Sequence, residues 1–208
     1  MTRPLVAVLD YGIGNLHSAQ KAIARMGADA RLTDDAALIA DADGVVLPGV
    51  GAFGACMDAL REARLEQSAR DAAASGRPFL GICVGMQMLF DDSEEDHAAH
   101  GLGIIAGTIR WIPPGVKRPQ MQWNQLTLRD GSEPMFNELG EHPWVYFVHS
   151  LYGVPEEPDV VSATCEYGGK LNAAFRLGNV FATQFHPEKS GTAGLQLLAN
   201  FVDLCVAA

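Results

Sequence analysis

Two short stretches of the 208-residue chain carry side chains able to do chemistry together. The first is Gly81-Ile82-Cys83-Val84-Gly85. It follows the apolar run Phe79 to Ile82, which reads as a short buried strand, and precedes a helix-type pattern from Met86 to Phe90. A cysteine between two glycines at such a junction is the sulphur version of the nucleophile elbow. The turn is tight, its neighbours must be small, and the side chain is held out at the top of the sheet. A thiol at a helix N-terminus also meets the positive end of the helix dipole, which favours the thiolate. The second stretch is Gln184-Phe185-His186-Pro187-Glu188-Lys189-Ser190. Pro187 favours extended geometry at His186, and residues two apart in an extended segment share a face. Glu188 is therefore placed to fix the imidazole tautomer and stabilise the imidazolium, and His186 to take the Cys83 proton. That is the logic of nucleophile, base and orienter. Each stretch has a plainer reading when taken alone: a small buried cysteine, or a surface histidine beside a solvated glutamate. Their joint occurrence at two strand ends favours the chemical one.

A third stretch, Pro48-Gly49-Val50-Gly51-Ala52-Phe53-Gly54, contains a literal Gly-x-Gly-x-x-Gly after a strand. A dinucleotide fingerprint belongs after the first strand and wants an acidic residue ending the next one; here the next strand ends in Cys83. The glycines fit better as a loop whose backbone N–H groups join that of Val84 in holding an oxyanion. His97 and His100 lie among carboxylates, but no third well-spaced ligand accompanies them, so a solvated acidic loop over Asp91 to Asp96 is expected and no metal. Trp111, Trp123 and Trp144 read as core or interface residues. His149-Ser150 ends a strand and is placed to line a pocket.

The elements that must position these groups alternate in type. Leu5 to Leu9 is the near-continuous apolar run of a central parallel strand. The loop Asp10 to Asn15 leads into a helix from Leu16 to Met26, with Gly27 as its stop. Strands follow at Ala28 to Leu32 and Gly44 to Leu47. Ala55 to Ala74 is helical, in one or two pieces. Strand–helix alternation argues for a doubly wound, mainly parallel α/β sheet flanked by helices, with ligands at the carboxyl ends of its strands. After Phe90 short strands are expected at Ile104 to Trp111, Leu126 to Leu128, Trp144 to Val148, Val160 to Tyr167, Leu171 to Leu177 and Val180 to Phe185. Turn signals such as Asp130-Gly131 and Gly168-Gly169 separate them. These are antiparallel additions in the C-terminal half, and Gly194 to Val206 closes the chain as an amphipathic helix. One domain over 1–208 is expected.

Hydrophobic residues make up 48% of the chain and charged ones 19%, a globular composition, and the net charge of −10 comes with no basic block. Nucleic acid and anionic membrane are therefore excluded as expected partners. The apolar run at Leu5 is too short for a secretory signal, and no stretch approaches the ~20 apolar residues of a membrane span. Four scattered cysteines without a C-x-x-C signal neither zinc nor a disulfide framework, which fits a reduced cytoplasm.

With these stretches in hand, the chain resembles the class I, triad-type glutamine amidotransferases. Within them it is similar to the glutaminase subunits of imidazole glycerol phosphate synthase. Beside the Cys and His-Pro-Glu motifs, the matching stretches are Asp10-Tyr-Gly-Ile-Gly-Asn-Leu-His-Ser18, Leu47-Pro-Gly-Val-Gly-Ala-Phe53, Tyr146-Phe-Val-His-Ser150 and the extension to Gly191. The resemblance implies a flavodoxin-like fold and a triad of Cys83, His186 and Glu188 that hydrolyses glutamine through a thioester, with no cofactor. It implies an oxyanion hole from Gly49, Val50 and Val84, in which the Gly49–Val50 peptide completes the hole only after it reorients. Contacts to glutamine are implied for Gly51, Gln87 and Glu95, with His149 and Ser150 beside them. Its ammonia would pass to a TIM-barrel cyclase partner facing Gly12, Asn15, Ser18, Met121, Trp123, Asn124 and Lys189. One departure stands out: the family's Met-Gly-Trp-Asn is Met121-Gln122-Trp123-Asn124 here, which leaves the local backbone or contact open. Two alternatives stay open: a glutaminase serving another synthase, such as one for anthranilate or pyridoxal phosphate, and a non-catalytic regulatory subunit on the same fold. The intact Cys83, His186 and Glu188 argue against the second.

Overall fold

A computed structural model describes residues 3–129 and 133–207, so the Asp130-Gly131 turn lies outside the described residues. In chain order the elements are β1 (Leu5–Leu9), α1 (Leu16–Arg25), β2 (Asp29–Thr33), α2 (Ala36–Asp41), β3 (Gly44–Gly49), α3 (Phe53–Glu62), α4 (Glu66–Ala74), β4 (Phe79–Cys83) and α5 (Val84–Gln87). Then come β5 (Asp92–Ser93), β6 (Asp96–His100), β7 (Gly107–Trp111), β8 (Gln120–Gln125), β9 (Thr127–Leu128), β10 (Trp144–His149) and β11 (Leu151–Pro155). The last are β12 (Val161–Glu166), β13 (Lys170–Leu177), β14 (Val180–Thr183) and α6 (Gly191–Ala207).

The main sheet has the order β2-β1-β3-β4-β14-β13-β12-β9. Its pairings are parallel from β2 to β14 and antiparallel from β14 to β9. The apolar runs explain the centre. Val6 to Leu9, Val46, Leu47, Phe79 and Leu80 are all 0% exposed, as strands covered on both faces require. Helix α1 buries Leu16, Ala19 and Ile23, one stripe at helical spacing. Two smaller sheets complete the C-terminal half: β10 with β8, and β11-β7-β5-β6.

Chain order reverses between β1 and β3, because β2 lies on the far side of β1. In open α/β sheets the crevice beyond the carboxyl ends at such a switch point is where ligands bind. Three turns meet there: the loop after β1, the loop after β3, and the β4–α5 junction. Gly49 and Cys83 are register partners on adjacent parallel strands.

Several elements differ from the sequence reading. The helix expected over Met86 to Phe90 is a single turn, Val84–Gln87, closed by Met88. Beyond it the backbone N–H groups of Leu102 and Ile104 bond back to the carbonyls of Met88 and Leu89, which ends the helix in favour of the next sheet. The acidic loop is instead a hairpin, β5 against β6, with β5 seated on β7. Helix α2 was not expected; it is capped by Asp35, whose side chain accepts from the Ala37 N–H. Nor were β8 and β11, whose partners are remote in the sequence. The tryptophans are not core: Trp111, Trp123 and Trp144 are 39%, 47% and 53% exposed.

Candidate active site

Cys83 ends β4 with φ 56° and ψ −112°. A non-glycine residue held at positive φ stores strain on the order of 1–3 kcal/mol. The neighbours explain why it is held. A Cβ on Gly85 would collide with the Leu47 carbonyl, and one on Gly81 would lie 3.0 Å from both Leu89 Cδ1 and Met86 Cα. Backbone therefore packs directly on backbone where α5 leaves β4, and the elbow has one shape. The Cys83 side chain stands beyond the sheet edge, and the residue is 4% exposed.

His186 lies just past β14, and its position is fixed from behind. Its N–H donates to the Tyr146 carbonyl at 3.1 Å. The Ser190 hydroxyl donates to the His186 carbonyl at 2.6 Å and accepts the Tyr146 N–H at 2.9 Å. The ring Nδ1 donates to Glu188 Oε1 at 2.8 Å, with the two side chains only 2% and 3% exposed. That bond assigns the neutral tautomer to Nδ1–H and leaves Nε2, which has no hydrogen-bond partner, as the group that can accept or give a proton. Burial alone would push this imidazole down. The Cys83 sulphur and the Glu188 carboxylate outweigh it, through hydrogen bonding and charge, and lift it to about 9. Because Nε2 lacks a bond of good geometry, the Cys83 effect is that of a close neighbour, with the proton-transfer contact still to be made.

Cys83 and His186 open onto a pocket of about 420 Å³, which Val50 and Val84 also line. The five residues named for glutamine, Gly51, Gln87, Glu95, His149 and Ser150, all lie on its wall. Gly49 and Glu188 do not; they line a small crevice behind it. Glu95 has a second task. Its Oε2 accepts the Phe53 N–H at 2.7 Å, so a carboxylate of the chain itself sits at the N-terminus of α3. That is where a dinucleotide phosphate would have to lie, and the Gly-x-Gly-x-x-Gly is thereby accounted for without one.

Two buried amides escaped the sequence reading. Gln184 is 0% exposed; its Nε2 lies 3.9 Å from Cys83 Sγ, and its Oε1 accepts from Gln87 Nε2 at 3.2 Å. Gln184 opens the His-Pro-Glu stretch, but nothing local shows that its side chain reaches Cys83, 101 positions away. Gln120 Oε1 is placed 2.8 Å from His149 Nε2, while His149 Nδ1 is 2.7 Å from the Leu151 carbonyl. Burial pushes His149 down to about 4, so the ring is neutral with one proton. Only Nδ1–H can satisfy the carbonyl. Nε2 is then an acceptor, and the Gln120 amide must present its NH2 to it, which also supplies the buried Gln120 nitrogen with a partner.

Among the residues named for a partner surface, Asn15 and Lys189 stand at the pocket rim. Met121 is 61% exposed and forms an apolar surface with Trp123 and Trp144; Gly12 is exposed, and Ser18 and Asn124 are half-buried. Gln122, at the departure from the family pattern, is an exposed residue in unbroken β8, paired with Phe147. A larger groove of about 590 Å³ runs along the β9 edge past Arg129, Pro155 and Lys170, but no cysteine, histidine or carboxylate lines it. His97 and His100 are exposed on β6, and among the described residues no cluster of three or more ligands suits a metal ion. No helix among them is long and apolar enough to cross a membrane.

The chain matches the model of the class-I glutamine amidotransferase family over residues 7–205. It is 50% identical over 208 residues to the imidazole glycerol phosphate synthase subunit HisH of Synechococcus elongatus, covering 99% of this chain and 95% of that one. It is 48% identical over 205 residues to the same-named subunit of Acinetobacter baylyi, covering 98% of each. Among solved structures it resembles PurLQS from Thermotoga maritima, with a TM-score of 0.78 at 22% identity over 97% of this chain and 99% of that one. It also resembles a structure described as a glutamine amidotransferase, with a TM-score of 0.76 at 22% identity over 97% and 98%. These two likenesses establish the shared fold.

Proposed function

The chain belongs to the class I glutamine amidotransferase family, and within it we propose that it is the glutamine-hydrolysing subunit of an imidazole glycerol phosphate synthase, serving histidine biosynthesis. The observation that carries the chemistry is the convergence of Cys83, His186 and Glu188, with His186 Nε2 left free beside the thiol.

The steps follow from these positions. Cys83 gives its proton to His186 Nε2, and the thiolate attacks the side-chain carboxamide carbon of glutamine. The charge that develops on the carboxamide oxygen is held by the Val84 N–H, which position at the start of α5 leaves without an intrahelical partner. The Val50 N–H joins it once the Gly49–Val50 peptide has turned. Each such donor is worth roughly 10²–10³ in rate. His186 then protonates the leaving nitrogen, ammonia departs, and a glutamyl thioester remains on Cys83. Water, deprotonated by the same Nε2, releases glutamate. Glu188 stabilises the imidazolium at each stage. Gln87, Glu95 and Gly51 hold the substrate, with Glu95 suited to its α-ammonium group.

Ammonia in neutral water is mostly protonated and is then no nucleophile, so it must leave directly into a synthase. Asn15 and Lys189 on the pocket wall, together with the exposed Met121, Trp123 and Trp144 on the β8–β10 pair, support a partner seated over the pocket. That partner is read as the TIM-barrel cyclase, which closes the imidazole ring, and the chain as one glutaminase domain over 1–208. The test is Cys83→Ala in the complex with the cyclase. Synthesis from glutamine should vanish while synthesis from added ammonium salt survives. Loss of both, or of neither, contradicts the reading.

A further inference from the structure

Two buried groups that this mechanism does not use hold the carbonyls before and after the Gly49–Val50 peptide. Tyr11 is 5% exposed, and its hydroxyl donates to the Pro48 carbonyl at 2.5 Å. Cys56 is 0% exposed, and its thiol donates to the Val50 carbonyl at 3.3 Å. Burial raises both groups above their ordinary ranges, the thiol to about 11, so each keeps its proton and remains a donor at neutral pH. The space around the peptide is closed as well. A Cβ on Gly49 would lie 2.6 Å from the Gly85 nitrogen and 2.9 Å from Tyr11 Oη.

We propose that Tyr11 and Cys56 are positioning residues that clamp the two carbonyls flanking the Gly49–Val50 peptide, so that this one peptide plane can turn while its neighbours stay fixed. The inference rests on the reading that this peptide supplies the second oxyanion donor. The argument is one of backbone freedom. The Pro48 carbonyl direction is set by ψ at residue 48, and the Val50 carbonyl direction by ψ at residue 50. With both held, the remaining motion is a paired change of ψ at Gly49 and φ at Val50, which rotates the plane without moving its ends. Glycine at 49 permits that rotation, and the packing around it forbids a sideways shift. Tyr11 adds a route for control. It is covalently followed by Gly12 to Asn15, the exposed loop beside the pocket rim, so a displacement of that loop reaches Pro48 through one hydrogen bond.

The experiment is steady-state glutamine hydrolysis by the complex, with and without the cyclase's nucleotide, for Tyr11→Phe, Cys56→Ala, Cys56→Ser and Val50→Pro. Tyr11→Phe and Cys56→Ala should each lower the nucleotide-stimulated kcat by about tenfold or more, as a misplaced reacting group does. KM for glutamine should change by less than about twofold, because the clamp touches no substrate. Cys56→Ser keeps a donor and should recover most of the loss. Ammonium-dependent synthesis should persist in all of them, reporting a folded, partnered chain. Unchanged stimulated kcat in both Tyr11→Phe and Cys56→Ala overturns the clamp, as does a failure confined to KM. Val50→Pro separates the two ideas. If removing that N–H leaves kcat intact, the oxyanion assignment fails; if it abolishes turnover while Tyr11→Phe does not, only the clamp fails.

Discussion

His186 and Glu188 meet through one bond, Nδ1 to Oε1 at 2.8 Å, inside a region where neither side chain is more than 3% exposed. Against the cost of burial, the Cys83 sulphur and this carboxylate favour the charged imidazole, so His186 in the folded state keeps a proton that an unfolded histidine has released. His186 is lifted from 6.5 to about 9. Its stabilising contribution is therefore complete below about pH 6.5 and is lost as pH rises to about 9. The melting temperature should fall across that window. Glu188→Gln should reduce this alkaline slope, as measured by thermal melts at half-unit pH steps, and lower kcat in steady-state assays.

His149 works in the opposite sense. Held neutral and lowered to about 4, it resists a proton that the unfolded chain accepts below about 6.5. Stability from this group is present above pH 6.5 and is lost as pH falls toward 4. The two histidines place the stability maximum near their common unfolded value. His149→Gln should remove the acid-side slope, although the variant loses the bond to Leu151 as well.

Cys83 sits where glycine would be comfortable. Glycine in place of alanine usually destabilises through the unfolded state. Here the order should invert: Cys83→Gly should be more stable than Cys83→Ala by about 1–3 kcal/mol. Both should be inactive. Chemical denaturation of the two variants checks it, and equal midpoints would show that the elbow is unstrained.

Ser190 satisfies two backbone groups at once, the Tyr146 N–H and the His186 carbonyl. Ser190→Ala leaves the Tyr146 N–H without that acceptor, at a cost of about 1–3 kcal/mol. It also loosens the turn that presents His186. A fall in both melting temperature and kcat, with KM for glutamine held, is the expected result.

Glu95 caps α3 and lines the pocket, where we propose that it meets the substrate. Glu95→Gln keeps an acceptor for the Phe53 N–H, so stability should move by only about 0.5 kcal/mol. The negative charge facing the substrate is lost, and KM for glutamine should rise about tenfold or more, the size of one charged hydrogen bond. A KM that stays put in this variant removes Glu95 from substrate binding.

The meeting of Cys83, His186 and Glu188 was readable because Cys83 and His186 lie at the ends of strands of high apolar content, and because Glu188 is two positions from His186. Local spacing fixes local geometry. What lies behind the triad was not readable for the same reason. Gln184 reaches Cys83 across 101 positions and Tyr11 reaches Pro48 across 37, and no periodicity encodes such a meeting. Among the elements, β8 escaped because Gln120 to Gln125 is mostly polar and is a strand only through its pairing with β10. The hairpin of β5 and β6 escaped because six acidic and polar residues carry no strand signal until β7 offers an edge. The single turn of α5 shows tertiary packing overriding a longer helical pattern. The exposed tryptophans show the reverse limit: residue type announces an important side chain without saying which side of the fold it faces.

The pairing of Gly49 with Cys83 in adjacent strands has a mechanical consequence. Cys83 and the loop proposed to assist it are rungs of one ladder, spaced by the roughly 4.7–4.9 Å between neighbouring strands. A sheet of that kind does not stretch, so activity is not tuned by drawing the two apart. The control we propose is a dial: one amide plane rotating in a rigid frame, too small a movement to alter the outline of the molecule. Activation would then leave the solution scattering profile of the complex unchanged while altering turnover, and regulation would be written entirely in the orientation of a single N–H.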